Sequence, residues 1–202
     1  MNTRRILPVA ALVCLAACQR PAQHPLPFGP VEEGLTLAYE DPSLPQPQRS
    51  QQRLQIRVAR VKFDADGTTG LVQEDYASLQ GTLTLFLRHH AGGITLVGSN
   101  GATLARLLPE GFPRTATWQD RSATFQVLGR GTWDGAALLP GTRSSVGVWV
   151  EMRPNEGTPR RTLYLPGLGE VESQELRGQA WVTVNRLVSL GFTDLPTSTS
   201  RP

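Results

Sequence analysis

Apolar and polar residues alternate with a period of two over much of this chain, the pattern of strands that bury one face. Leu35, Leu37 and Tyr39 alternate with Thr36 and Ala38. Leu54, Ile56 and Val58 alternate with Gln55 and Arg57, and the apolar phase then slips to Val61 and Phe63. One odd residue in an alternation predicts a β-bulge, here near Ala59–Arg60. Leu83, Leu85 and Leu87 lead into His89-His90-Ala-Gly-Gly93, which turns the chain so that Ile94 to Val97 returns as a hairpin. Val146, Val148, Val150 and Met152 alternate with Gly147, Trp149 and Glu151. Arg153 to Pro159 turns, and Leu163 to Leu165 pairs back. Ala180, Val182 and Val184 alternate with Trp181 and Thr183, and Leu187, Leu190 and Phe192 close the pattern. No capped segment keeps a 3.6-residue period, although Leu104 to Leu108 has room for one helical turn. The expected class is all-β: one domain with an antiparallel curved sheet of roughly eight to ten strands, closed as a sandwich or a half-barrel.

The ends of the chain read differently. Arg4 and Arg5 precede an apolar run from Ile6 that ends in Leu15-Ala16-Ala17-Cys18. That run is too short to span a bilayer, which takes about 20 residues. Basic residues, a short apolar core and small residues before a cysteine resemble a lipoprotein signal peptide with its lipobox. The expected division is a signal peptide over 1–17, a lipidated Cys18 with a tether to residue 27, a β-rich domain over 28–192 and a disordered tail over 193–202. The tether, Gln19 to Pro27, is polar and proline-rich. Gln19 lacks the acidic character of the usual inner-membrane retention signal, so the expected location is the cell envelope, lipid-anchored at the outer membrane.

Composition narrows the function classes. Arg4 and Arg5 leave with the signal, so 20 − 2 = 18 basic residues face 17 acidic ones. The mature chain is nearly neutral, and no basic run is interleaved with aromatics, so no nucleic-acid partner is expected. Cys14 leaves with the signal and Cys18 carries lipid, which leaves no thiol for a disulfide or a zinc site. Twenty Gly and 16 Pro favour many turns and short strands.

Three further stretches resemble a widespread group of uncharacterised bacterial lipoproteins. Pro27-Phe-Gly-Pro-Val-Glu-Glu-Gly34 with Leu35 to Tyr39 is similar to its opening motif, with Leu37 where Trp is usual. Leu107-Leu-Pro-Glu-Gly-Phe-Pro113 with Thr117-Trp118 resembles its mid-chain motif, and Gly141-Thr142 precedes a strand as in that group. Leu163-Tyr-Leu-Pro-Gly-Leu-Gly-Glu-Val171 resembles its "YaPGvGlV" motif near the C-terminus, with Leu168 and Glu170 replacing commoner residues. The resemblance implies one β-rich domain, with a curved sheet like those of lipoprotein carriers, and no assigned activity. Read by itself, Pro166 with Gly167 and Gly169 makes a tight turn into a strand at Val171, as a structural corner or a ligand-contacting loop.

Catalytic patterns are thin. His24 lies in the tether, and the adjacent His89 and His90 point to opposite faces of a strand, as an exposed turn pair. Asp64 and Asp66 bracket a turn without the ligand set of a calcium loop. Glu170 and Glu172 are expected on one exposed strand face, with Glu175 beyond them. No Gly-x-Ser-x-Gly stands in the chain. No enzyme activity, metal or cofactor is expected. Trp149 and Trp181 lie opposite the valine-rich faces of their strands, either in a second core layer or lining an aromatic groove for a ligand. The expected function is a non-catalytic lipoprotein, anchored through Cys18, that binds an envelope protein or serves envelope structure. The alternative is a carrier or chaperone for a hydrophobic ligand such as a lipid or a lipoprotein.

Overall fold

The computed structural model describes residues 28–64, 69–90, 92–138 and 145–193. Cys18, His24, Asp66, Gly141-Thr142 and the expected tail from Asp194 lie outside the described residues. Twelve strands form one open antiparallel sheet: β1 (Leu35–Glu40), β2 (Leu54–Phe63), β3 (Thr69–Ser78), β4 (Gly81–His90), β5 (Gly93–Val97), β6 (Thr103–Leu108), β7 (Thr117–Gln119), β8 (Ala123–Thr132), β9 (Val146–Pro154), β10 (Arg160–Leu165), β11 (Gly169–Arg177) and β12 (Ala180–Phe192). Their order across the sheet is β6-β5-β4-β3-β2-β1-β12-β11-β10-β9-β8-β7. The first and last strands therefore pair at the centre, and two six-stranded meanders step outwards from them. Short connections suffice, because antiparallel neighbours need only hairpins.

The sheet is curled. Ile94 on β5 and Tyr164 on β10 are seven strand steps apart, roughly 34 Å across a flat sheet at about 4.8 Å per step. Both nevertheless line one cavity. The outermost strands β6 and β7 are not paired with each other, so the sheet is an open half-barrel. The linker between them carries Phe112, buried against Trp118 and Tyr164 at ring-centroid distances of 6.3 Å each. An aromatic plug thus stands where a closed barrel would have a ladder.

Several local expectations match and others are corrected. The register of β2 on β3 shifts between Val58 and Arg60, at the bulge that the phase slip predicts. The hairpins β4–β5 and β9–β10 are present. Leu104–Leu108 is not a helical turn but most of β6, paired with β5. The described residues hold one four-residue helix, α1 (Gln48–Gln51), inside the proline-rich loop. The strand number exceeds the expected eight to ten because β3, β7 and β8 carry weak alternation. In β3 the inward series contains Glu74 and Tyr76, so its buried face does not read as apolar.

The histidine pair is corrected too. His89 and His90 belong to β4, and the turn begins after them. They point to opposite faces as expected. His89, however, is buried, while Nε2 of the half-buried His90 lies 3.0 Å from Thr95 Oγ1.

Candidate functional site

A cavity of about 310 Å³ lies inside the curl. Its apolar wall comes from four strands: Leu37 on β1, Leu54 and Ile56 on β2, Leu87 on β4 and Ile94 on β5. Cross-strand partners in an antiparallel ladder point to the same face. The pairings Leu37 with Ile56 and Tyr39 with Leu54 therefore build this wall directly.

The opposite part of the lining is polar. Glu74 on β3 is 2% exposed and accepts a hydrogen bond from the Tyr76 hydroxyl through Oε2 at 2.7 Å. Its Oε1 accepts none among the described residues. Burial raises the Glu74 pKa to about 7, against the opposing effect of the Tyr76 hydrogen bond. Glu170 on β11 is held quite differently. Its Oε1 accepts from Ser173 Oγ at 2.6 Å, Asn185 Nδ2 at 2.8 Å and Arg160 at 3.2 Å. The Tyr39 hydroxyl donates to the Glu170 carbonyl at 2.7 Å. Burial, followed by the nearby Glu170 charge, raises the pKa values of both Tyr39 and Tyr164, so both stay neutral donors. The cavity is an apolar pouch with a polar end that presents acceptors.

A strap crosses beside it. Phe28, Gly29 and Pro30 precede β1 and line the cavity. A Cβ on Gly29 would run into the His89 ring, so glycine lets the strap lie directly on β4. On its other side the strap meets Gly169, whose φ of +82° also favours glycine; a Cβ there would come within 3.3 Å of Pro30 Cδ. The strap thus bridges the two wings of the sheet. Phe28 meets Phe112 edge-on at 4.8 Å. All three stretches that carry the lipoprotein resemblance therefore converge: Phe28 from the first, Leu107 and Phe112 from the second, and Tyr164 with Leu168 to Glu170 from the third. The Pro166–Gly169 corner is both a turn and part of the cavity wall.

The carboxylate expectation is corrected by a bulge. Leu163 pairs with Glu172 but Tyr164 pairs with Glu170, so Val171 is the extra residue. Glu170 turns into the cavity with Tyr164, whereas Glu172 lies on the opposite face and is buried. There it accepts from Gln174 Nε2 at 2.6 Å and forms an ion pair with Arg186 at 3.2 Å. The bulge is invisible in the sequence, because Val171 continues the apolar pattern on either face.

Trp149 and Trp181 do not line this cavity. Both are half-buried and flank the Arg161 guanidinium, at 5.5 and 4.5 Å from their ring centroids. Trp149 pairs across Gly129 and Leu163, and a Cβ on Gly131 would strike its ring, which places it on the back of the sheet. The sequence signal that would have found the site is Glu74-Asp75-Tyr76, a charged stretch inside an otherwise apolar phase.

No protein-family model matches the chain, and no curated protein matches it. Among solved structures, the chain is similar to a predicted lipoprotein of Parabacteroides distasonis at 12% identity, with a TM-score of 0.47, over 84% of this chain and 100% of that one. It is also similar to a predicted exported protein with a YmcC-like fold from Bacteroides fragilis at 14% identity, with a TM-score of 0.46, over 82% of this chain and 99% of that one.

Proposed function

We propose that this protein is a lipid-anchored, extracytoplasmic binding protein that holds a small, largely apolar molecule inside its half-barrel and has no catalytic role. The cavity carries the reading. Its volume of about 310 Å³ falls at the lower end of the range of small-ligand sites, about 300–1,000 Å³. Its wall is mostly aliphatic, with a few convergent polar groups, the usual composition of such sites. A non-catalytic role fits the carboxylates: Glu170 is committed to three donors, so the two carboxylates of the cavity do not form a free acid–base pair.

The environmentally sensitive probe N-phenylnaphthylamine should bind residues 19–202, which include every strand of the sheet, with one-to-one stoichiometry and a rise in fluorescence. Ile56→Trp places a larger ring into the wall and should weaken that binding about tenfold or more while the fold survives. Equal binding by this variant would remove the cavity as the site.

The anchor rests on Leu15-Ala16-Ala17-Cys18. Cys18→Ser in the full chain should abolish acyl labelling and release the protein from the membrane fraction, because the acyl chains supply the attachment. A variant that remains labelled and membrane-bound would contradict it.

A further inference from the structure

The polar end of the cavity has a composition that selects among ligands. The chain has three tyrosines in all, and Tyr39, Tyr76 and Tyr164 all line this one cavity. Two carboxylates, Glu74 and Glu170, line it with them, against a single guanidinium, Arg160. Arg160 is already paired with Glu170 at 3.2 Å. The surplus group is therefore Glu74, with Oε1 free of hydrogen bonds among the described residues. The Tyr164 hydroxyl is likewise unbonded among them. Taking the cavity to be a ligand site, we propose that it accepts a small amphiphile with one cationic ammonium head, seated among the tyrosine rings against Glu74, with its apolar tail on Leu37, Leu54, Ile56 and Leu87.

The argument is one of charge. An anionic head, carboxylate or phosphate, would enter a site with two carboxylates and one cation that is already engaged, and like charges in a low-dielectric cavity repel strongly. A neutral hydroxyl can share one hydrogen bond with Glu74 Oε1 but gains nothing from the charge that the carboxyl can carry. An ammonium supplies both donor and charge, and aromatic faces favour it further through their quadrupoles.

The groups facing Glu74 from each packed element agree with this assignment. They are Tyr39 from β1, Leu87 from β4, Arg160 and Tyr164 from β10, Glu170 from β11 and Asn185 from β12; His89 lies farther along β4, opposite Gly70 and outside the lining. β2 contributes only Leu54 and Ile56 to the lining. His89 is kept neutral by burial, with His90 adding to the effect. It therefore supplies no competing cation at neutral pH. Glu74 titrates near 7, so a cationic ligand should bind more tightly as the pH rises through that value and should drive Glu74 to ionise.

The test is isothermal titration of residues 19–202 with octylamine, octanol and octanoate, which share a tail and differ in the head. Octylamine is expected to bind about 10- to 100-fold more tightly than octanol, the worth of a charge-assisted contact, and octanoate more weakly than octanol. The octylamine affinity should increase from about pH 6 to about pH 8. In Glu74→Gln the preference for amine over alcohol should fall to within about threefold and the pH dependence should vanish. The wild-type pH series supplies an independent reading should that variant fail to fold. If octanol or octanoate equals or exceeds octylamine, the ammonium assignment is overturned and the cavity reading stands. If none of the three binds, both fall together.

Discussion

Stability should respond to pH in opposite senses when either of two buried groups is removed. Glu74 has its pKa raised from 4.5 to about 7, chiefly by burial. It therefore contributes stability that is complete below 4.5 and is lost as the pH rises through 7. His89 has its pKa lowered from 6.5 to about 4, again chiefly by burial. It contributes stability that is present above 6.5 and is lost as the pH falls through 4. Between about 4.5 and 6.5 the two slopes oppose each other, and each is worth about 3 kcal/mol over its full range. The wild-type profile in that window should be nearly flat for these two groups.

Glu74→Gln removes the Glu74 titration and leaves the His89 slope unopposed, so its stability relative to wild type should climb by about 3 kcal/mol from about pH 4.5 to about pH 7. His89→Phe removes the His89 titration and leaves the Glu74 slope unopposed, so its stability relative to wild type should fall by a similar amount from about pH 4 to about pH 6.5. Neither His89 ring nitrogen has a hydrogen-bond partner among the described residues, so the phenyl ring sacrifices no bond to them. Asp120, whose carboxylate is held below its ordinary range by hydrogen bonds led by the Ser122 backbone N–H, titrates alike in all three proteins and cancels in the differences. Urea denaturation across that range is the measurement, and parallel profiles for the three proteins would contradict the account.

Trp133→Ala should cost about 3–5 kcal/mol, the range for a large aromatic removed from a well-packed interior. Trp133 is 1% exposed and follows β8, where its N–H donates to the Ser145 carbonyl at 2.8 Å. Its Nε1 has no partner among the described residues, so the loss is one of packing rather than hydrogen bonding. The ring lies tightly over Gly135 and leads a short turn, Ala136–Leu138, that touches β12. The ion pair of Asp134 with Arg186 at 3.4 Å ties the same segment to the back of the sheet. Trp133 thus anchors the small second layer opposite the cavity. Trp181→Ala, at a half-buried ring, should cost clearly less. A Trp133→Ala loss below about 1 kcal/mol would show that the ring carries little of that layer's packing.

The fold class was legible because alternation is a backbone-level signal. Leu35–Tyr39, Leu54–Val58 and Val146–Met152 each bury one face and declare it. The phase slip after Val58 even located a bulge, since the residues on both sides of it are unambiguous in polarity. The bulge at Val171 left no trace, because valine suits both faces of that strand. It decides that Glu170 enters the cavity while Glu172 does not. β6 was misread because Leu104, Ala105, Leu107 and Leu108 are spaced as in a helical turn, and only pairing with β5 settles a segment so short.

The candidate site was the least legible part. A cavity inside a curl belongs to two wings of a sheet, brought together by curvature that no local pattern encodes. Trp149 and Trp181 drew attention as the largest rings on their strands, but they face Arg161 on the back. The informative residues were Glu74 and Tyr76, which break the apolar phase of β3 and so concealed the strand itself. The polar residues that made the strand hard to see are the ones that give the cavity its chemistry.

The most direct test of the central claim, that the half-barrel holds a small molecule, is native mass spectrometry of residues 19–202 purified from the periplasm without detergent. The account predicts a one-to-one adduct of small-molecule mass that Ile56→Trp diminishes. A bare protein mass, together with no uptake of the added probe, would contradict it.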